Sequence, residues 1–588
     1  MSLILAINAG INSSVGLFKD GRPVICVEEE RINRVKNWFG FPDQALQYLL
    51  SEKYFNPKDL TDIAICDEVV NDISREKFYR RYDYHYNYGK LLAYNIKLER
   101  TKLDIKNKLK SAGLYKSYVQ ARQEQSEDKS YHKELYNKIA SYGLDILKII
   151  HVEHHLCHAA SAYYGLATDI NEPYLVFTLD GGGDNLRSTV SIGKKGNIER
   201  KSAGNEYSVG NIYSAITHHL GFRSHEHEYK LMGLAPYVNQ DYAEKYKGFF
   251  EHYLKLVNDD TEFANPYFIN HSVFFAEVIK NLTGSRFDNI AAGLQAFTEE
   301  IVVRWVKGNI RKYGIKKILC SGGVFMNVKL NKLLSQLPEV EYIDVFPSCG
   351  DESNIFGAAF HVHNSKYNKA CSLLSSYTLG PAPSNDLTTA LEKYKGHITI
   401  EQSDSIYESV AAMLSDNMIV AHCSGNMEFG ARALGNRSIL ANPSQMQNIN
   451  KINKSVKKRD FWMPFAPAML WEDAHTMINI PSSLAQQGSP YMMFAFDTKV
   501  NMRDNIICGI HQADFTARAQ TVTQEKHPAL HAIIKAFKAK TGTPCVLNTS
   551  FNLHGYPIVT NTKQAVEVLL NSEIDVLVID NYIIRRKQ

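Results

Sequence analysis

Leu3-Ile4-Leu5-Ala6-Ile7, Val15-Gly16-Leu17-Phe18 and Pro23-Val24-Ile25-Cys26-Val27 are three apolar runs of strand length, separated by Gly10-Ile11-Asn12 and by Asp20-Gly21. Turn residues between such runs predict a β-meander. The pattern returns at Tyr174–Leu179, Ser188–Ile192 and Ile198–Lys201, with Gly181-Gly182-Gly183-Asp184 as its first turn. A meander that occurs twice, each copy followed by helical stretches and further strands, predicts a duplicated domain. Between the copies, Ile73–Lys148 is rich in Lys, Tyr and Glu with few apolar positions in strand register, and it predicts a helical insertion, read as a solvated hairpin.

The doubled meander resembles the actin-like (ASKHA) architecture of sugar kinases and heat-shock ATPases, which implies a nucleotide cleft between the halves. At 588 residues the chain exceeds one ordinary core. Pro381, Pro383 and Ser384 punctuate a link, so a first domain is expected over residues 1–380 and a second over 387–588. In the second, Cys545–Asn548 and Val576–Ile579 are strand-length apolar runs with a helix at Lys563–Leu570 between them, making it α/β as well.

A net charge of +4 over this length gives no broad basic field, so nucleic acid is not an expected partner and any anion site must be local. No apolar run reaches bilayer length and Ser2–Ile7 lacks the basic flank of a signal peptide, so no membrane association is expected and the location expected is cytoplasmic. Nine scattered cysteines without a C-x-x-C pair read as reduced thiols.

In Glu153-His154-His155-Leu156-Cys157-His158, His154 and His158 are four apart, which on a helix turns both imidazoles to one face. A structural or solvent-facing pair would show the same spacing. Asp180 ends the run Leu175–Leu179, and Asp351 precedes an apolar helix. Two His with two Asp suit Fe(II), Mn(II) or Zn(II).

Two glycine turns are candidate phosphate cradles: Gly182 and Gly183 after Asp180, and Gly322-Gly323-Val324 between the run Ile318–Cys320 and a helix through Asn327. No P-loop motif is present. Arg432 and Arg437 lie in Phe429-Gly430-Ala431-Arg432-Ala433-Leu434-Gly435-Asn436-Arg437. Lys457-Lys458-Arg459, Arg518 and Asn548-Thr549-Ser550-Phe551-Asn552 follow. Converging, they would make a pocket for a small phosphorylated anion. Salt-bridged surface arginines would look alike in sequence.

These segments in this order resemble the NodU/CmcH-type O-carbamoyltransferases over nearly the whole chain apart from the insertion. The resemblance rests on His154-His155-Leu156-Cys157-His158-Ala159-Ala160-Ser161, Lys230-Leu231-Met232-Gly233-Leu234-Ala235-Pro236, Gly322-Gly323-Val324, Arg432–Ser438, Pro464-Phe465-Ala466-Pro467 and Asn548–Asn552. It implies an N-terminal domain similar to the actin-like threonylcarbamoyladenosine synthase (TsaD) fold and a YrdC-like C-terminal domain. It also implies that carbamoyl phosphate and ATP, with Mg2+, give carbamoyl-adenylate and pyrophosphate, after which the carbamoyl group passes to a hydroxyl of a small molecule or sugar.

Carried over residue by residue, His154, His158, Asp180 and Asp351 would hold Fe(II) or another divalent metal. Lys230, Gly322, Gly323 and Asn327 would bind nucleotide, bordered by Gly182, Gly183 and Asp351. Arg432, Lys457, Arg518, Asn548 and Ser550 would grip carbamoyl phosphate, and Lys36 would sit near the acceptor beside the catalytic His154, His158 and Asp180. A homodimer is compatible with this reading. The sequence departs from the family at Ile11-Asn12, where members usually carry a His-Asp pair, and at Met463, where an arginine is common, with Lys458 as a candidate substitute. The alternatives carried are a threonylcarbamoyl-type tRNA-modifying transferase and a non-catalytic nucleotide-binding relative.

Overall fold

β1 (Leu3–Asn8), β2 (Ser14–Lys19) and β3 (Arg22–Glu28) form the first meander, and β4 (Asp62–Cys66) and β5 (Ile149–Val152) extend it. The computed structural model describes residues 2–67, 129–267, 269–369, 371, 373–383 and 387–587. The sheet order is β3-β2-β1-β4-β5, antiparallel through the meander and parallel from β1 to β4 and β5. β4 is buried along its whole length, as a parallel strand covered on both faces must be.

β6 (Tyr174–Gly183), β7 (Leu186–Lys194), β8 (Asn197–Gly204), β11 (Lys317–Ser321) and β12 (Tyr342–Val345) repeat the arrangement, ordered β8-β7-β6-β11-β12 with the same directions. Identical order in two sheets is the duplication expected, and it is the actin-like topology. A small hairpin, β9 (Lys255–Val257) and β10 (Glu262–Ala264), lies between them in sequence.

Two local expectations change. The glycines after Asp180 are not the turn: β6 runs through Gly183, and the turn is Asp184-Asn185, with φ of 45° and 62°. Asp and Asn accept this left-handed conformation because their short polar side chains bond locally. The insertion is not wholly solvated either. The helix Lys129–Ser141 drives Leu135 and Ile139 fully into the core beneath the first sheet, beside Leu46 and Ile63. The stretch 73–128 lies outside the described residues.

The helices His154–Leu166 and Asn354–Tyr367 cross between the two sheets. They touch through Gly357, where a Cβ would stand 1.7 Å from Cys157 O, so only glycine permits the approach. That crossing sets Asp351, just before the second helix, opposite the first turn of the other.

The C-terminal part is a mixed eight-stranded sheet, ordered β13 (Ile398–Gln402), β22 (Tyr582–Arg586), β21 (Val576–Ile579), β14 (Val420–Cys423), β15 (Arg437–Ala441), β20 (Cys545–Ser550), β16 (Ala466–Leu470) and β19 (Gln520–Val522). β17 (Phe496–Asp497) and β18 (Thr516–Ala517) form a separate ribbon. Helices Ile406–Ser415 and Pro528–Thr541 cover one face, and Thr562–Leu570 covers the other. Alternate residues of β14 and β21 face the two layers, as the period of two requires. Among the described residues, no helix is long and apolar enough to cross a membrane.

The two parts are joined by buried polar contacts. Arg31 donates to Gly430 O at 2.6 Å, Gly430 N donates to Glu28 Oε2 at 3.0 Å, and Arg34 donates to Pro557 O and Ile558 O.

Candidate functional site

Glu153 caps the helix His154–Leu166 by accepting from His155 N and Leu156 N at 2.8 and 3.0 Å, which makes His154 its first residue and puts His158 one turn on. Their Nε2 atoms stand 3.2 Å apart. The other ring nitrogens are taken: Nδ1 of His154 lies 2.7 Å from Asp67 Oδ1, and Nδ1 of His158 lies 3.2 Å from Ser321 Oγ. Two imidazole lone pairs aimed at one point repel each other unless a cation or proton lies between them.

Asp180 Oδ2 and Asp351 Oδ1 each approach His154 Nε2 at 3.5 Å, and Asp351 Oδ1 is 3.6 Å from His158 Nε2. One donor atom from each of the four residues falls within 4.8 Å of the rest. The set fits a divalent ion: two imidazoles, two carboxylates, and an Asp67 carboxylate orienting one imidazole from behind.

Burial disfavours the His154 imidazolium, but Asp351 and Asp67 outweigh it and hold this histidine well above its usual range. Burial likewise raises Asp180, and His154 and His158 more than reverse that. His155 belongs to the packing: burial, then its two histidine neighbours, hold it well below the usual range, and its Nδ1 meets Thr178 Oγ1 at 2.7 Å.

The glycine turns serve this centre. A Cβ on Gly183 would stand 2.1 Å from the His154 ring, so that glycine makes room for the imidazole. Gly182 N donates to Asp180 Oδ2 at 3.3 Å and Gly323 N to Asp180 Oδ1 at 3.0 Å. Gly322, at φ 101°, lets the chain pass Leu179 O, which a Cβ would approach to 2.5 Å. The turn enters a short 3-10 segment, Gly323–Met326, rather than an α-helix, and Asn327 then caps Val328–Ser335 through Leu330 N at 3.1 Å.

Lys230 places its Nζ 3.0 Å from Asp460 Oδ2 in the other part of the molecule. Lys36 Nζ lies 2.7 Å from Glu226 Oε1, a carboxylate also met by Arg223 at 2.9 Å.

In the second part, the charge of Arg432 acts on Arg459 and those of Arg432 and Arg459 act on Arg518, and none of the three has a carboxylate in an ion pair among the described residues. Arg459 donates to Thr549 Oγ1 at 3.1 Å and lies over the Phe465 ring at 4.6 Å. Burial, then Arg432, pulls its guanidinium down to about 10. Burial, then Arg432 and Arg459, holds Arg518 well below its usual value. Unneutralised guanidinium groups held together are an anion site by charge alone.

Lys457 is buried beside them and donates to Ser550 Oγ at 3.0 Å and Asn552 Oδ1 at 2.7 Å. Asn548 has a different duty. Its Nδ2 donates to Ala433 O and Gln520 Oε1, which ties the Arg432 loop to the sheet. Arg437 is fully buried and gives its guanidinium to the carbonyls of Ser424, Gly425 and Pro381, so it takes no part in the pocket. Lys458 is exposed, in a left-handed conformation, and does not stand in for an arginine at 463. Met463 packs its sulfur against Gly233.

Of the residues that complete the two sites, Arg459 and Asn552 fall in the segments the sequence singles out, and Asp67 does not. Asp67 lies just past the end of β4, and spacing does not say that this residue turns toward His154.

One loop joins the two clusters. Ser348 Oγ donates to Glu352, next to Asp351, and accepts from Ala431 N, next to Arg432, at 3.1 Å. Burial, then Glu28, pushes Glu352 up to about 8.

Comparison with known proteins places this geometry. The model described as carbamoyltransferase N-terminus matches residues 4–360, and that described as carbamoyltransferase C-terminus matches 411–586. Nodulation protein NolNO of Sinorhizobium fredii is 30% identical over 97% of this chain and 78% of its own length. Nodulation protein NolO of Bradyrhizobium diazoefficiens is 33% identical over 74% of this chain and 79% of its own. An uncharacterised protein of Methanocaldococcus jannaschii is 30% identical over 99% of this chain and all of its own. With both halves of the family pattern present in order along one chain, the protein belongs to the carbamoyltransferase family and is a carbamoyltransferase.

Proposed function

We infer that the protein makes carbamoyl-adenylate in its C-terminal part and transfers the carbamoyl group to an acceptor hydroxyl at the His154 centre. The observation that carries this reading is three half-buried arginines, none in an ion pair with a carboxylate among the described residues, joined through Ser348 and Glu352 to Asp351. Such a pocket suits carbamoyl phosphate, whose charge the guanidinium groups would neutralise while Lys457, Ser550 and Asn552 supply directed hydrogen bonds.

Water cleaves carbamoyl phosphate to carbamate and inorganic phosphate. A carbamate oxygen attacks the α-phosphorus of ATP, and the α–β bond breaks to release pyrophosphate. The acceptor hydroxyl oxygen then attacks the carbamoyl carbon, loses its proton, and AMP leaves. Arg432, Arg459 and Arg518 would hold the anionic oxygens through the first two steps and exclude solvent from the mixed anhydride. A divalent cation held by His154, His158, Asp180 and Asp351 would supply Lewis-acid polarisation of a carbamoyl oxygen. Asp67 keeps the His154 ring oriented through Nδ1. Lys36, already paired with Glu226, would lie beside the acceptor as a positioning charge.

The test is pyrophosphate, phosphate and AMP formation from ATP, with and without carbamoyl phosphate, on protein reconstituted with Fe(II). Pyrophosphate and phosphate should appear in equal amounts and only with carbamoyl phosphate. Pyrophosphate released equally in its absence would defeat the reading.

A further inference from the structure

We propose that Asn354 is a fifth protein ligand of the divalent cation at the His154 centre, through its side-chain oxygen. The inference rests on the reading of that centre as a metal site and deepens it.

Asn354 is the first residue of the helix Asn354–Tyr367 and is 1% exposed. Its place is fixed from the helix that carries the two histidines. Ser161 Oγ of that helix donates to Ser353 O at 3.2 Å, and Gly357, one turn beyond Asn354, lies against Cys157 O. The crossing that brings Asp351 to the histidines therefore brings Asn354 with it.

The amide is poorly paired where it stands. Its Nδ2 lies 3.5 Å from His158 Nε2, beyond the usual hydrogen-bond range, and its Oδ1 is enclosed and finds no donor among the described residues. A buried amide oxygen is rarely left so. The same 3.5 Å separates His154 Nε2 from Asp180 Oδ2 and from Asp351 Oδ1. Donor atoms about 2.1 Å from one ion stand roughly 3–3.5 Å apart, so the amide end keeps the spacing of a ligand.

A cation on His158 Nε2 would take the lone pair that Asn354 Nδ2 faces. Half a turn of the amide then exchanges its two ends, and Oδ1 gives up no hydrogen bond in doing so. Asparagine oxygens are ordinary ligands of hard cations. Two imidazoles, two carboxylates and one amide oxygen suit six-coordinate Fe(II) or Mn(II), with one position left for a substrate oxygen, better than four-coordinate Zn(II).

The experiment uses the full-length protein with Mn(II) alone, followed by equilibrium dialysis and by water-proton relaxation. Asn354→Ala should weaken Mn(II) binding about tenfold and admit one more water to the ion, seen as higher relaxivity. Asn354→Asp keeps an oxygen and adds charge, so it should bind Mn(II) more tightly at native relaxivity. A mere hydrogen bond to His158 would be lost alike in both variants, since neither can donate it. Equal loss in the two, or native affinity and relaxivity in Asn354→Ala, would overturn the proposal. Should Asn354→Ala fold poorly, Asn354→Asp decides alone, and weaker binding there overturns it. His158→Ala separates this inference from the metal reading. Mn(II) binding unchanged in both His158→Ala and Asn354→Ala removes the centre itself, whereas binding lost in His158→Ala and kept in Asn354→Ala removes only the fifth ligand.

Discussion

The metal centre and the arginine pocket handle charge in opposite ways. Around His154 every charged group meets its complement: two imidazoles, two carboxylates, and Asp67 behind. In the pocket the charges of Arg432 and Arg459 act on Arg518, and none of the three arginines is in an ion pair with a carboxylate among the described residues. The first is a set of ligands balanced before anything binds; the second is a cluster whose repulsion only an incoming anion relieves. A balanced site loses function when one ligand goes, whereas a repulsive site gives up binding yet gains stability.

That contrast can be broken most sharply at His158. His158→Ala should lower carbamoyl transfer about a thousandfold, several kcal/mol of lost charge stabilisation, while pyrophosphate release stays within about threefold. Parallel loss of both would show one site where we describe two. Arg518→Ala should cut pyrophosphate release about a hundredfold, the loss of a charge-assisted contact, and raise the melting temperature of the anion-free protein. Differential scanning fluorimetry with inorganic phosphate checks the sign: phosphate should stabilise the native protein more than the variant.

Asp67→Asn should weaken divalent-metal affinity by roughly 10–100-fold, by equilibrium dialysis, and leave phosphate stabilisation alone. The smallest effect is expected at the joint. Ser348→Ala removes the hydroxyl shared by Glu352 and Ala431 and should slow transfer about tenfold, as a lost buried hydrogen bond does, with less change in either binding step. Unchanged transfer in single-turnover experiments would leave the two sites merely adjacent.

Much of this arrangement is legible before folding. The apolar periods of β1–β3 and β6–β8 announce two meanders, and the four-residue step from His154 to His158 announces a shared helical face. Strand and helix periods are local properties, so sequence carries them. The insertion was harder, because Leu135 and Ile139 are two apolar residues in a polar stretch, and only the sheet they cover explains their burial.

Sequence alone determined the duplicated α/β plan and the His154–His158 step, which depend on residue type at short, regular spacing, and the family pattern, which added Asp180 and Asp351 as candidate ligands. The tertiary structure alone decided that Asp67 stands behind His154, that Arg459 rather than Lys458 completes the arginine cluster, that Arg437 is structural, and that Gly183 is a gap for an imidazole. These outcomes depend on contacts between residues far apart in the chain, where packing and charge, not periodicity, fix which of two neighbours faces inward.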